Sequence, residues 1–182
     1  MQNIKMRVVG GKYIRRPISY DLDNKLIRPT KDIVRQGIFN ALRNDIKDKK
    51  ILDLFAGTGA LGIEALSQGA KSATFVDSLV SAQKIIRNNT SYIEESLQII
   101  DQDYKTFLQN CNSNCYDVIF LDPPYHLDVI SILDEVIKTN ILCAGGIIVI
   151  ESDKALTIVL ENSRIRTYKY GITHVTIIWR TI

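Results

Sequence analysis

The chain has 182 residues, 46% of them hydrophobic, enough for one substantial core with a small appendage but not for two full domains. Its net charge of +3 hides an uneven layout: residues 1–50 hold thirteen basic and five acidic side chains, and the remainder reverses the balance with ten against fifteen. No apolar run reaches the roughly eighteen residues of a membrane helix, and the first residues lack the apolar stretch of a signal peptide; the expected location is the cytoplasm.

In chain order, residues 6–9 and 13–19 read as two short strands joined at Gly10-Gly11-Lys12, a hairpin candidate. Around it lies a run of cations (Lys5, Arg7, Lys12, Arg15, Arg16, Lys25, Arg28, Lys31, Arg35) interleaved with Tyr13 and Tyr20, a composition suited to neutralising phosphates. The expected organisation is therefore a basic hairpin or arm over residues 1–28 and a main domain over 29–182. Pro29-Thr30 opens a helical pattern in Ile33, Val34, Ile38, Ala41 and Leu42, with Thr30 as the expected N-cap.

From residue 50 strands and helices alternate, over residues 50–55, 58–67, 72–76, 79–90, 97–100, 104–109, 116–121, 128–139 and 146–151. Such alternation predicts an α/β fold with a doubly wound, mostly parallel sheet. The tail differs. Residues 164–170 and 173–180 alternate with period two around Gly171 and predict a C-terminal antiparallel hairpin. Cys111 and Cys115 lie in an Asn/Ser-rich stretch without a histidine or a second pair at metal spacing, and Cys143 is isolated; reduced thiols and no metal site are expected.

Two motifs fall where a doubly wound sheet keeps its ligands, beyond the carboxyl ends of its strands. The first is Asp53-Leu-Phe-Ala-Gly-Thr-Gly-Ala-Leu-Gly62, in which Gly57, Gly59 and Gly62 form a strand-to-helix turn that lets backbone approach a nucleotide-like cofactor. Asp77 ends the next strand, where a carboxylate can accept both hydroxyls of a ribose. That much fits a nicotinamide dinucleotide equally, but a dehydrogenase needs a substrate domain, and only about thirty residues follow position 151. The second motif, Asp122-Pro-Pro-Tyr125, adds an acceptor carboxylate, a stiffened turn and an aromatic plate, chemistry for holding a planar group that bears an amine. Together the two point to methyl transfer onto an amino nitrogen.

Five other residues carry weaker signals, beginning with Asp103, which suits either an adenine amino group or the N-cap of the following helix; the two roles are compatible. Asp53, buried before the glycine turn, must have a partner, because an unpaired buried carboxylate costs several kcal/mol. Glu64 reads as an exposed helix residue. His126 and His174 read as loop and strand-surface residues, His126 beside the proposed substrate pocket.

The segments Arg7-Val-Val-Gly-Gly-Lys-Tyr-Ile-Arg-Arg16, Ile27-Arg-Pro-Thr-Lys-Asp-Ile-Val-Arg35, Phe39-Asn-Ala-Leu42, Asp53 to Gly62, Asp122 to Tyr125 and Tyr168-Lys-Tyr-Gly171 together resemble the RsmD family of bacterial 16S rRNA guanine-N2 methyltransferases, nearly end to end. The resemblance implies a Rossmann-like class I enzyme with a seven-stranded sheet. Its cofactor would be S-adenosylmethionine and its substrate one guanine of 16S rRNA in the small ribosomal subunit or an assembly intermediate; a monomer is expected. Asp53, Phe55, Gly57, Thr58, Gly59, Asp77, Asp103 and Asp122 form the expected cofactor set, and Asp122, Pro123, Pro124 and Tyr125 the catalytic set. Asp122 and a carbonyl of the proline pair would accept the two N–H bonds of the guanine amine, while Tyr125 stacks on the extruded base. Arg7, Lys12, Arg15, Arg16, Arg28, Lys31 and Arg35 form the expected RNA-binding set. Asp77 departs from the family pattern, which has the longer Glu there. The alternatives are a DNA adenine-N6 methyltransferase, which usually needs a target-recognition insert not visible here, and a noncatalytic RNA-binding assembly factor that keeps the fold. Protein glutamine methylation is disfavoured by Asp122, which opens the Asp-Pro-Pro-Tyr motif where an Asn would be expected.

Overall fold

The computed structural model describes residues 6–20, 31–113 and 115–181. Its centre is a seven-stranded sheet built from β3 (Lys50–Asp53), β4 (Ser72–Asp77), β5 (Ser96–Asp101), β6 (Tyr116–Leu121), β7 (Leu142–Ser152), β8 (Ser163–Tyr170) and β9 (Thr173–Arg180), in the order β5-β4-β3-β6-β7-β9-β8. The first five are mutually parallel; β9 runs antiparallel to both β7 and β8, giving the expected C-terminal hairpin. Strands at the middle of a parallel sheet are covered on both faces and read as continuous apolar runs. Residues 118–121 form such a run and Ile51, Leu52 and Leu54 most of another, interrupted by Asp53; all are nearly inaccessible to water. The edge strand β8 instead alternates, with Arg164, Arg166 and Lys169 exposed.

Two cores cover the two faces. On one, α1 (Asp32–Ala41), α2 (Ala60–Ser67) and α3 (Val80–Asn89) pack on Ile51, Phe75, Phe120, Val149 and Ile177; on the other, α4 (Tyr104–Asn110) and α5 (Val129–Lys138) pack on Leu52, Val76, Ile119, Ile148 and Ile178. The parity switch along each strand is the period-two alternation of side chains across a sheet. Aspartates begin the last two helices. Asp103 accepts the Lys105 and Thr106 amides at 3.0 and 3.1 Å, and Asp128 accepts that of Ile130 at 3.2 Å. The N-cap of α1 is Lys31; the Thr30 expectation falls outside the described residues.

The N-terminal hairpin is shorter than its sequence pattern suggests. Only β1 (Met6–Arg7) and β2 (Pro17–Ile18) pair, closed by Val8 N–H to Arg16 O and Arg15 N–H to Val8 O, both 2.9 Å. The positive φ of Arg15, 68°, interrupts the strand expected over residues 13–19, so that pairing begins only at Pro17. The hairpin is not loosely attached: Met6, Val8, Tyr13 and Ile18 are buried in the same core as the first sheet face. Among the described residues, no helix is long and apolar enough to cross a membrane.

Candidate active site

The sheet grows outward from β3 in both directions, through β4 to β5 and through β6 to β7, so the strand order reverses between β3 and β6. Connections leave opposite faces at such a point and open a crevice above the strand ends. A cavity of about 550 Å³ occupies that place, lined by the loops after β3, β4, β5 and β6. It brings together Asp53, Phe55, Gly57, Thr58, Asp77 and Asp103 with Asp122, Pro123, Pro124 and Tyr125, residues up to 72 positions apart in the chain. Gly59 lies outside the lining but shapes it. It starts α2 with φ of 78°, and a Cβ there would press on Phe75, Ile63 and Ile86 at 3.3–3.4 Å. Gly62 is tighter still: a Cβ would lie 2.3 Å from the Phe75 ring, so only glycine lets α2 settle this close to β4.

Carboxylates hold the glycine turn from two sides. Asp53, 1% exposed, accepts the Gly62 amide at 3.0 Å through Oδ2, the partner that its burial demands. Asp77 accepts the Gly57 amide at 2.8 Å on Oδ2 and that of Leu79 at 2.9 Å on Oδ1. Each of its oxygens keeps a second acceptor position, and the side chain is fixed by the backbone it supports. Burial pushes the Asp53 carboxyl up to about 7, against the Gly62 hydrogen bond, and the charges of Asp122 and Asp77 push it the same way. The cavity thus gathers three aspartates, of which the buried Asp53 has its carboxyl raised to near neutrality. It favours a ligand that brings positive charge.

One wall is apolar: the Phe55 and Tyr104 rings meet at 5.2 Å, tilted by 45°. Gln102, Tyr104, Ser78 and Leu79 line the cavity but were not in the sequence-derived set. Their only signal was adjacency to Asp77 and Asp103. Asp103 combines both of its expected roles in position, capping α4 and lining the cavity; the Thr106 hydroxyl and amide hold its carboxyl below the usual range. Tyr125, at the rim, is 49% exposed, and His126 lies beside it in the lining.

The expected RNA-binding set divides. Arg7, Lys12, Arg15, Arg16 and Lys31 are exposed. Arg28 lies outside the described residues. Arg35 is a correction: it is fully buried, donating to the Arg7 carbonyl at 2.5 Å and to Asp32 at 2.8 Å, so its position in the helix turned it into the core and away from solvent. Glu64 is a second correction, buried at 0% and not exposed, with its two oxygens accepting the Val9 and Gly10 amides at 2.9 and 2.8 Å. Hairpin docking converts a helix face that would otherwise meet water into an interior. Lys12 is paired with Glu94 and Glu95 at 2.7 and 2.9 Å, and Arg16 lies over the Tyr92 ring at 5.2 Å.

Residues 6–179 match the family described as Conserved hypothetical protein 95. Haemophilus influenzae "Ribosomal RNA small subunit methyltransferase D" is 34% identical over 158 residues, spanning 82% of this chain and 80% of its own length. This chain belongs to the RsmD family. The RsmD relative of Buchnera aphidicola, of the same description, is 30% identical over 179 residues, 95% of this chain and 91% of its own. Among solved structures, a hypothetical protein of Thermus thermophilus superposes with a TM-score of 0.81 at 25% identity, covering 97% of this chain and 99% of that one. The RsmD match thus embraces the N-terminal hairpin, both motifs and the C-terminal hairpin.

Proposed function

We propose that this chain is an S-adenosylmethionine-dependent rRNA methyltransferase that modifies the N2 amine of one guanine in the 16S rRNA of the small subunit. The observation that carries the reading is the meeting of Asp122-Pro-Pro-Tyr125 with the glycine turn and Asp77 around one acidic cavity. Relatives over most of the chain carry the description ribosomal RNA small subunit methyltransferase. The residues present suit the cofactor: Asp77 offers acceptors for a ribose diol, Phe55 and Tyr104 an apolar slot for an adenine, and Asp53 a carboxylate for the cationic end. When bound, S-adenosylmethionine supplies the methyl group, with its sulfur as leaving atom.

The chain's own part is positioning and proton handling. Asp122 and a proline-pair carbonyl accept the amine hydrogens, which turns the nitrogen lone pair toward the cofactor and away from the base ring. Asp122 then takes the proton released when the nitrogen becomes secondary, directly or through water. Tyr125 offsets part of the stacking lost when the base leaves its helix, about 1–3 kcal/mol. The basic hairpin over residues 1–28, appended to a methyltransferase domain over 29–182, contacts RNA through Arg7, Arg15 and Arg16. We assign the enzyme to the cytoplasm as a monomer.

Incubating the protein with labelled S-adenosylmethionine and unmethylated small subunits, naked small-subunit rRNA or DNA, then identifying the nucleoside by mass spectrometry, tests this. N2-methylguanine in rRNA is expected. N6-methyladenine in DNA, or cofactor binding without any transfer, would replace the reading.

A further inference from the structure

Asn89 closes α3 and is 3% exposed, yet it touches two segments that have different tasks. Its Oδ1 accepts the Ser19 amide at 2.8 Å, and its Nδ2 donates to the Ser19 carbonyl at 2.9 Å and to the Thr58 carbonyl at 3.0 Å. Ser19 is where the hairpin leaves β2; Thr58 is in the glycine turn and lines the cavity. The orientation of the amide is forced, because two carbonyls require the NH₂ end and one N–H requires the oxygen. A single planar group therefore holds both backbones, and neither bond to Ser19 survives a flip. The same helix props the turn from below through Ile86, which lies 3.4 Å from where a Cβ on Gly59 would stand.

We infer that Asn89 is a positioning residue that couples the N-terminal hairpin to the cofactor turn, so that RNA held by the hairpin tightens S-adenosylmethionine binding. The inference rests on the methyltransferase reading above. RNA bound at Arg15 and Arg16 restricts the residues leading to Ser19, three positions on. A fixed Ser19 holds the Asn89 amide, and the amide holds the Thr58 carbonyl, so the turn is ordered before the cofactor arrives. The ordering cost is then shared between two ligands, which is positive cooperativity without a change of fold. Linkage makes it reciprocal: the cofactor must tighten RNA binding by the same factor.

Calorimetric titration of S-adenosylmethionine into the full chain, with and without a saturating unmethylated in vitro transcript of small-subunit rRNA, reads the coupling directly. RNA should lower the cofactor Kd about fivefold or more in the wild type. In Asn89→Asp, which keeps the acceptor for Ser19 and loses both donors, and in Asn89→Ala, that ratio should fall to near one. RNA affinity without cofactor should stay within about twofold, which a general loss of structure would not allow. If both variants fail to fold, hydrogen exchange on the wild type decides: RNA alone should slow exchange over residues 57–62, and unchanged exchange there overturns the coupling. Methyl transfer with cofactor and RNA affinities independent of each other also overturns it while leaving the methyltransferase reading intact. Absence of binding to the transcript and to unmethylated small subunits alike overturns both.

Discussion

Arg35 Nε lies 3.9 Å from Glu64 Oε2, with both side chains shielded completely from water. Around this pair the hairpin is tied to two helices, since Glu64 accepts the Val9 and Gly10 amides and Arg35 donates to the Arg7 carbonyl. Burial raises the Glu64 carboxyl from its ordinary range against the pull of those amides and of Arg35, so the charge is costly and needs every partner it has. Removing one member of a buried pair strands the other, at a cost of about 3–5 kcal/mol. Arg35→Ala and Glu64→Ala are each expected to lower the thermal midpoint by roughly 10 °C. A change of only a degree or two would show that the pair is not holding the hairpin.

Deleting residues 1–20 should unfold much of the protein. Met6, Val8, Tyr13 and Ile18 leave with it, and buried side chains of this size contribute about 1.5–3 kcal/mol each, a total comparable with the whole stability of a domain. Circular dichroism of the truncation checks this. A cooperative, native-like melt would make the hairpin an accessory and not part of the core.

Point substitutions test the RNA surface without that loss. Arg7, Arg15 and Arg16 are exposed, whereas Lys12 is neutralised by Glu94 and Glu95. The triple change Arg7→Gln, Arg15→Gln, Arg16→Gln should weaken RNA binding and flatten the slope of log K against log salt by about two, the value for three contacts on single-stranded RNA. Lys12→Gln should change the slope little. An unaltered slope in the triple variant returns this face to ordinary solvated surface.

Asp53 carries a pH signature. Its folded carboxyl titrates near 7, above the ordinary value of 3.8, so between these the native state binds more protons than the unfolded chain. Stability from this group is complete below about pH 4 and is lost as pH rises through 7. Asp53→Asn should remove that decline and make the ligand-free protein more stable at pH 8 than the wild type. Cofactor affinity should move the other way: a cationic ligand favours ionised Asp53, so wild-type affinity rises through pH 7 and the Asn variant loses both affinity and slope. Parallel pH profiles for the two proteins would take Asp53 out of the ligand's electrostatics.

For catalysis, Asp122→Ala should abolish turnover with cofactor Kd within a few fold. Tyr125→Ala should lose most of the rate and Tyr125→Phe retain much of it, because stacking needs the ring and not the hydroxyl. Equal losses in the two Tyr125 variants would replace stacking with a role for the hydroxyl. Asp77→Ala should weaken cofactor binding by more than a lost ribose contact alone, since Gly57 and Leu79 amides lose their acceptor as well.

Local chemistry along the chain was enough for the sheet and for the meeting of the aspartates above it. Continuous apolar strands, glycines at turn spacing and aspartates directly after strands each leave a signal within ten residues, and strand ends in a parallel sheet necessarily converge, so Asp53, Asp77, Asp103 and Asp122 meet as their positions required. What depended on the hairpin's docking left no such signal. Arg35 and Glu64 have the polarity of surface residues and the helical phase of residues facing a neighbour, and only a segment more than fifty positions from Glu64 in the chain makes that neighbour. Asn89, at the end of an ordinary amphipathic helix, likewise becomes a junction only because Ser19 and Thr58 arrive on either side of its amide. Hydrophobic periodicity reports which face of an element is covered by the core of its own sheet. It carries no record of a distant hairpin that lays backbone donors and acceptors across a polar face, and there the tertiary structure alone decided which charges are buried and which stay exposed.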